Sequence, residues 1–152
     1  MVIPKNIKEI GNQVFFDCPM LTSVVFESDS NLQKIGAQVF VNAISLKDII
    51  IPSNVEELKV GLFNGCKQME SVNFENTPIR PSKLKRIENF VFNGTKVKSL
   101  VLPQSVEYLD DFALQGLEDI KLVITKDSIL NLQEENYTSL NGGKNVTIQY
   151  YK

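Results

Sequence analysis

Asp110 and Asp111 are the sole adjacent aspartate pair in this sequence, and side-by-side carboxylates can share a proton or hold a hard cation. The plainer reading is a turn, because the corresponding positions elsewhere in the chain carry Gly11-Asn12 and Glu88-Asn89. Cys18 and Cys66 offer thiols, but two cysteines without a histidine fall short of a zinc site. Histidine is absent from all 152 residues, which removes the commonest general base and proton shuttle and excludes every triad that uses it. Gly142-Gly143-Lys144 lacks the spacing and the Ser/Thr of a phosphate loop and reads as a helix stop. No catalytic residue, metal site or cofactor is therefore expected, and the chain reads as a non-enzyme.

Arg80 to Arg86, with Lys83 and Lys85 between them, could form a basic docking patch. Glu56-Glu57 and Glu107 occupy the equivalent phase before and after it, which favours a ladder of opposite charges and a solvated loop. A formal net charge of −2 lacks the footprint that a phosphate backbone demands, so no nucleic-acid partner is expected. Apolar runs such as Ile49-Ile50-Ile51 are far shorter than the roughly 18 to 20 residues needed to span a bilayer, so no membrane insertion is expected. Asn93-Gly94-Thr95, Asn136-Tyr137-Thr138 and Asn145-Val146-Thr147 match the glycosylation triplet, a frequent coincidence in a chain rich in Asn and Thr.

The element that must position all of these residues is a repeat. An apolar residue followed five later by an aromatic recurs at Ile10/Phe15, Ile35/Phe40, Leu58/Phe63 and Ile87/Phe92, with Leu109/Leu114 as a degenerate fifth copy. The second members lie 25, 23, 29 and 22 residues apart. An L-x-x-L-x-L motif recurs in phase: Leu21-Val24-Phe26, Leu46-Ile49-Ile51, Met69-Val72-Phe74, Val97-Leu100-Leu102 and Leu117-Ile120-Leu122. Its last three positions alternate as a strand requires. Pro4, Pro52 and Pro103 follow the strands of three turns at one phase, where a residue without an N–H ends the strand.

One turn cannot bury such a face alone, so the turns must stack into a parallel sheet about 4.8 Å apart, with the four phenylalanines in a file on the opposite, convex side. Segments such as Asn12 to Asp17 are predicted to be short helical or 3₁₀ turns there. Glu27 to Asn31 and Glu75 to Ser82 are polar insertions that account for the two long spacings. Two repeat steps separate Cys18 from Cys66 by about 10 Å, beyond the ~7 Å limit for a disulfide, so both are expected as free, core-filling thiols. Lys47, Glu70, Lys98 and Glu118 share a strand phase and alternate in sign.

Ile51-Pro52-Ser53-Asn54-Val55-Glu56-Glu57-Leu58 followed by Leu62-Phe63-Asn64-Gly65-Cys66 resembles the BspA-like, or Treponema pallidum type, leucine-rich repeat. The resemblance covers residues 2 to about 124. It departs at Leu114, in place of the aromatic, and at Thr95 and Leu117, in place of the cysteine. It implies an α/β repeat solenoid: a right-handed leucine-rich-repeat superhelix, mainly parallel sheet. The expected organisation is residues 1–124 in five turns (2–23, 24–48, 49–71, 72–99 and 100–124) and a cap at 125–152. The cap is predicted as a helix starting at Asp127-Ser128, carrying Ile129, Leu130, Leu132, Tyr137 and Leu140 on one face, and then a strand at Val146 to Tyr151. A linker into a further domain is the competing reading of that segment. The first repeat starts almost at residue 2 without a polar cap, which points to a piece of something longer; no charged leader with an apolar core precedes it.

Repeats of this kind are typical of surface proteins of bacteria and parasitic protists, so the resemblance implies a cell-surface or secreted protein-binding module engaged in adhesion. The side chains between core positions, on the concave sheet face, form two columns: Ser23, Asp48, Ser71, Ser99 and Asp119, and beside them Val25, Ile50, Asn73, Val101 and Lys121. Val25, Ile50 and Val101 are candidate protein-binding anchors, with Asp48, Asn73, Asp119 and Lys121 fixing orientation. The competing reading is that β-branched residues merely favour strands. A monomer with a protein partner is expected; the alternative function is a structural or self-associating segment of a longer surface protein.

Overall fold

The computed structural model describes residues 1–128, 130 and 145–151, and among these there is no helix. Each of the first five coils contributes one strand to each of two files, a long-strand file whose members reach five residues and a short-strand file of two-residue strands. The long-strand file is β1 (Val2–Ile3), β3 (Val25–Phe26), β5 (Asp48–Ile51), β7 (Ser71–Phe74), β9 (Ser99–Val101), β11 (Lys121–Thr125) and β12 (Thr147–Tyr151). The short ones are β2 (Glu9–Ile10), β4 (Lys34–Ile35), β6 (Glu57–Leu58), β8 (Arg86–Ile87) and β10 (Tyr108–Leu109). All pairings are parallel. The architecture is a parallel β-solenoid of about six turns.

The core follows the alternation. Leu46, Ile49 and Ile51, or Val97, Leu100 and Leu102, point inward and are buried, and Ile35, Leu58 and Ile87 close the core from the short strands. On the convex side Phe15, Phe40, Phe63 and Phe92 form one file, with ring centroids 5.6, 5.8 and 6.3 Å apart and planes within 10°, 9° and 24°. Phe15 is half-buried at the end of the file; the other three are fully buried. Such offset stacking adds about 0.5–1.5 kcal/mol per pair beyond the area buried.

The helical turns expected around these phenylalanines do not form. A helix spends each N–H on its own carbonyl four residues back. Here the N–H groups of Gln13, Phe15 and Asp17 instead donate to the carbonyls of Ala37, Val39 and Val41 on the next coil at 3.0, 3.0 and 2.8 Å. Gln38, Phe40 and Asn42 repeat the pattern toward Val60, Leu62 and Asn64. Left-handed residues stand two before the aromatic (Gln13, Gln38, Gly61, Phe90) and two after it (Asp17, Asn42, Gly65, Gly94), with Gly116 two after Leu114, an interval no α-helix tolerates. The convex side is therefore a third ladder between coils.

The long-strand ladder is interrupted in a regular way. β1–β3, β5–β7 and β9–β11–β12 are separate sheets. Where a junction is zipped, the N–H of Glu27 donates to Ile3 at 3.1 Å and that of Glu75 to Ile51 at 2.9 Å. At the same phase of β5 and β9 stand Pro52 and Pro103, which have no N–H to give. The same glutamates reach back with their side chains. Glu27 Oε2 accepts the Lys5 N–H and Glu75 Oε2 accepts the Ser53 N–H, both at 2.9 Å. The first four coils are thus coupled in pairs, a proline coil followed by a glutamate coil, with open junctions at β3/β5 and β7/β9, while β9, β11 and β12 run on as one ladder.

At the first open junction the short strands are unpaired too, since β2–β4 and β6–β8–β10 are separate sheets. What holds it is the convex ladder together with the side chains of Asn54, whose Nδ2 donates to the Ser30 carbonyl at 3.2 Å, and Arg80. Arg80, from the Glu75 to Ser82 insertion, donates to Asp29, to the Ser30 carbonyl at 3.2 Å and to Ser53 Oγ at 3.4 Å, and forms an ion pair with Glu75 at 3.0 Å. The insertion is a clamp over the junction.

Candidate functional site

On the outer face of the long-strand sheet the registers Val2↔Val25, Ile50↔Asn73 and Val101↔Val123↔Gln149 define one column. Val2, Val25, Ile50 and Val101 are 60, 53, 60 and 54% exposed, far more than aliphatic side chains held by a core. Val25 and Ile50 face each other across the open β3/β5 junction and line a cleft of about 250 Å³. Asp48 lines the same cleft and is level with Ser71 in the neighbouring column. Asn73, also exposed, separates the Val25/Ile50 pair from Val101.

Sequence reasoning missed Val2 and Val123 as members of this column, and it misplaced the last turn. Lys121 pairs with Ser99, not with Val101, so it belongs to the polar column, and Val123 takes the place assigned to it. The reason is that Leu117-Ile120-Leu122 was aligned on its own spacing, whereas the ladder keeps the 22-residue interval from Leu100 to Leu122. Asp119 lies ahead of the strand in a left-handed conformation, and Asn145 Nδ2 donates to its Oδ1 at 2.8 Å, so its carboxylate joins coil to coil. The same offset places Ile120, one residue before the paired Lys121, level with Lys98 of the charge ladder; the Lys98 ammonium instead donates to the Glu118 carbonyl at 2.7 Å.

The remaining candidates are accounted for by packing. Asp110 caps its turn, accepting the Phe112 N–H at 3.0 Å and the Tyr108 hydroxyl at 3.3 Å, and its charge raises the affinity of that phenol for its proton. Arg86 is level with Glu57 on one side and lies 4.2 Å over the Tyr108 ring on the other, and the same register sets Lys85 of the basic run between Glu56 and Glu107. Lys59 bridges Glu57 and Glu88, and the hydrogen bond to Glu57 is the main reason its pKa is raised. Cys18 and Cys66 are both free thiols. Cys66 is fully buried with its thiol on the Phe40 carbonyl at 3.0 Å, and burial pushes its pKa up to about 12. Thr95, in the cysteine's place one coil on, donates to the Phe92 carbonyl at 2.8 Å.

Asn93 and Asn145 of the glycosylation triplets spend their amides on Asn64 and Asp119. Asn136, the Gly142-Gly143-Lys144 segment, and most of the helix face predicted for the cap (Ile129, Leu132, Tyr137 and Leu140) lie outside the described residues; Leu130 is buried. Among the described residues no group of three or more Cys, Asp or Glu is gathered to hold a metal, and no helix is long and apolar enough to cross a membrane.

A stack of parallel coils with an aliphatic strip on its long-strand face is a repeat scaffold. The sequence matches the BspA type leucine rich repeat region, in six copies, over residues 1–81 and 77–151, and the chain belongs to that family. No curated relative matches the sequence. Among solved structures, the chain resembles the Pneumococcal vaccine antigen PcpA, with a TM-score of 0.72 and 21% identity, over 84% of this chain and 30% of that one. It also resembles a leucine rich cell surface protein from Faecalibacterium prausnitzii A2-165, with a TM-score of 0.60 and 22% identity, over 84% of this chain and 38% of that one. The chain thus spans well under half the length of either. At such identities the likeness establishes the fold.

Proposed function

We propose that this chain is a non-enzymatic protein-binding module that works at a cell surface, in adhesion, through the outer face of its long-strand sheet. The observation that carries the reading is the aliphatic column of Val2, Val25, Ile50 and Val101, each more than half exposed on a hydrogen-bonded scaffold. Exposed aliphatics in a row, interrupted by Asn73 and flanked by Asp48 and Lys121, gain free energy only when a partner covers them. β-Propensity alone explains a valine or isoleucine in a strand; it does not explain why the outer positions of β1, β3, β5 and β9 are aliphatic while those of the neighbouring column are Ser71 and Ser99. Membership of a leucine-rich repeat family, and a structural relative described as a cell surface protein, support the same reading. In this reading residues 125–152 close the end of the stack, a role supported by β12 running beside β11.

The test compares partner capture by the wild type, by Ile50→Glu and by Val14→Glu, which places the same charge on an exposed convex position. Capture is expected to be lost in Ile50→Glu alone, with melting temperatures of all three within a few degrees because both sites are exposed. Capture lost in Val14→Glu but kept in Ile50→Glu would move the interface to the other side.

A further inference from the structure

The β3/β5 cleft has a composition more specific than its apolar walls. Besides Val25 and Ile50 it is lined by Glu27, Asp29, Asp48 and Glu75, and by no lysine or arginine. Arg80 pairs with Asp29 and Glu75. Glu27 and Asp48 are both exposed, and neither is in an ion pair among the described residues. Glu27 gives one oxygen to the Lys5 N–H.

The placement of these two carboxylates is set by strand parity. Asp48 precedes Ile50 by two residues on β5, and Glu27 follows Val25 by two, one residue past the end of β3, and all four line the one cleft. Val25 and Ile50 occupy the same phase of successive coils. Along the strand direction the surface therefore reads acid, apolar pair, acid, in steps of about 6.6 Å at ~3.3 Å per residue. An extended chain presents alternate side chains at that same interval.

Resting on the binding role proposed above, we infer that this cleft takes an extended segment of a partner protein of the form basic-x-apolar-x-basic, its central aliphatic side chain on Val25 and Ile50 and its two cations on Asp48 and Glu27. Arginine suits both ends, since its methylene stem lies along apolar surface while its planar fork meets a carboxylate. The open ladder makes the cleft: a zipped β3/β5 junction would draw the two strands together and close it. Pro52 keeps it unzipped at the end nearest Glu27.

The experiment uses three fluorescein-labelled synthetic peptides, carrying Arg-Thr-Leu-Thr-Arg, Ser-Thr-Leu-Thr-Ser and Glu-Thr-Leu-Thr-Glu, read by anisotropy against the full chain. The basic peptide is expected to bind at least about tenfold tighter than the neutral one, to weaken as salt is raised, and to lose that advantage in the Asp48→Asn/Glu27→Gln double variant. Val14→Glu, at an exposed position on the convex side, should leave its binding within about twofold. Equal binding of basic and neutral peptides, lost in Ile50→Asp, would overturn this inference and leave the sheet-face reading standing. Basic-peptide binding untouched by both the double variant and Ile50→Asp would overturn the two together, and absence of binding by all three peptides would overturn the inference alone. Far-ultraviolet dichroism of each variant establishes that it is folded before binding is read.

Discussion

Arg80 and Asp29 form an ion pair although 51 positions separate them, and between them lies the one junction where neither strand ladder is closed. Asp29 is largely exposed at 79%, so its own share is small; Arg80 is held at 22%, where its bonds to Glu75 and the Ser30 carbonyl count for more. Arg80→Met, which keeps the stem and removes the fork, should cost about 1–2 kcal/mol, and Asp29→Asn under about 0.5 kcal/mol. Melting temperature ranks the two. Amide exchange locates the effect: the Ser53 N–H, bonded to Glu75, should exchange faster in Arg80→Met. Equal and negligible shifts would mean that the convex ladder and Asn54 hold the junction.

The phenylalanine file sets the second expectation. Phe63 stacks on Phe40 at 5.8 Å and on Phe92 at 6.3 Å with no exposed surface. Phe63→Ala removes both contacts and opens a cavity that the ladders on either side keep from collapsing, for a loss of about 3–5 kcal/mol in urea unfolding. Phe63→Leu should cost only about 1–1.5 kcal/mol, because Leu114 fills the same position of the next-but-one coil and is buried there. A loss below about 1 kcal/mol for the alanine variant would contradict a shared file.

How far the sequence carried this structure depends on what each feature looks like as a string of letters. Side-chain alternation is written directly in the chain, so the inward Ile49 and Ile51, the outward Val25, Ile50 and Val101, and the stacked phenylalanines were all legible. Backbone handedness is not. Gln13, Gln38 and Phe90 adopt φ of 59°, 58° and 57° with side chains that carry no strong preference for it, and only Gly61 at the same phase hinted that the turn was not helical. Inter-coil hydrogen bonds hold those residues there, and such bonds exist only once the coils are stacked. Lys121 was misplaced for a related reason: a local motif match outweighed the interval that the ladder enforces. The Arg80 clamp was hidden because a loop's destination depends on geometry, although an arginine inside a proline-bounded insertion, two coils from Asp29, was the available signal.

Two glycines at one phase of the convex turn separate backbone strain from steric fit. Gly65 has φ +77°, and a Cβ there would meet Asn42 Oδ1 at 2.4 Å; Gly94 has φ +74°, but its nearest neighbour would be Gly65 itself at 3.4 Å. Gly94→Ala should therefore cost only the left-handed penalty of about 1–2 kcal/mol, and Gly65→Ala more than that. Gly94→Asn should be milder than Gly94→Ala, since Asn42 already adopts φ 58° at this phase. Chemical denaturation of the three variants checks the order, and Gly65→Ala milder than Gly94→Ala would refute it.

Cys66 provides an expectation in both reactivity and pH. Its thiol is buried, and burial pushes its pKa from the ordinary value near 9.0 to about 12. Native protein at pH 8 should take up one equivalent of iodoacetamide at the half-exposed Cys18, with Cys66 alkylated only after denaturation. The sign of the pH effect follows from linkage. The folded state holds the Cys66 proton more tightly than the unfolded chain does, so its contribution is complete below about pH 9 and is lost as pH rises toward 12. Cys66→Ala removes that dependence at the cost of a small cavity beside the Phe40 carbonyl. Denaturation midpoints measured at pH 7.5 and at pH 10 should therefore fall more with pH in the wild type than in Cys66→Ala, and parallel losses in the two proteins would show that another group governs the alkaline limb.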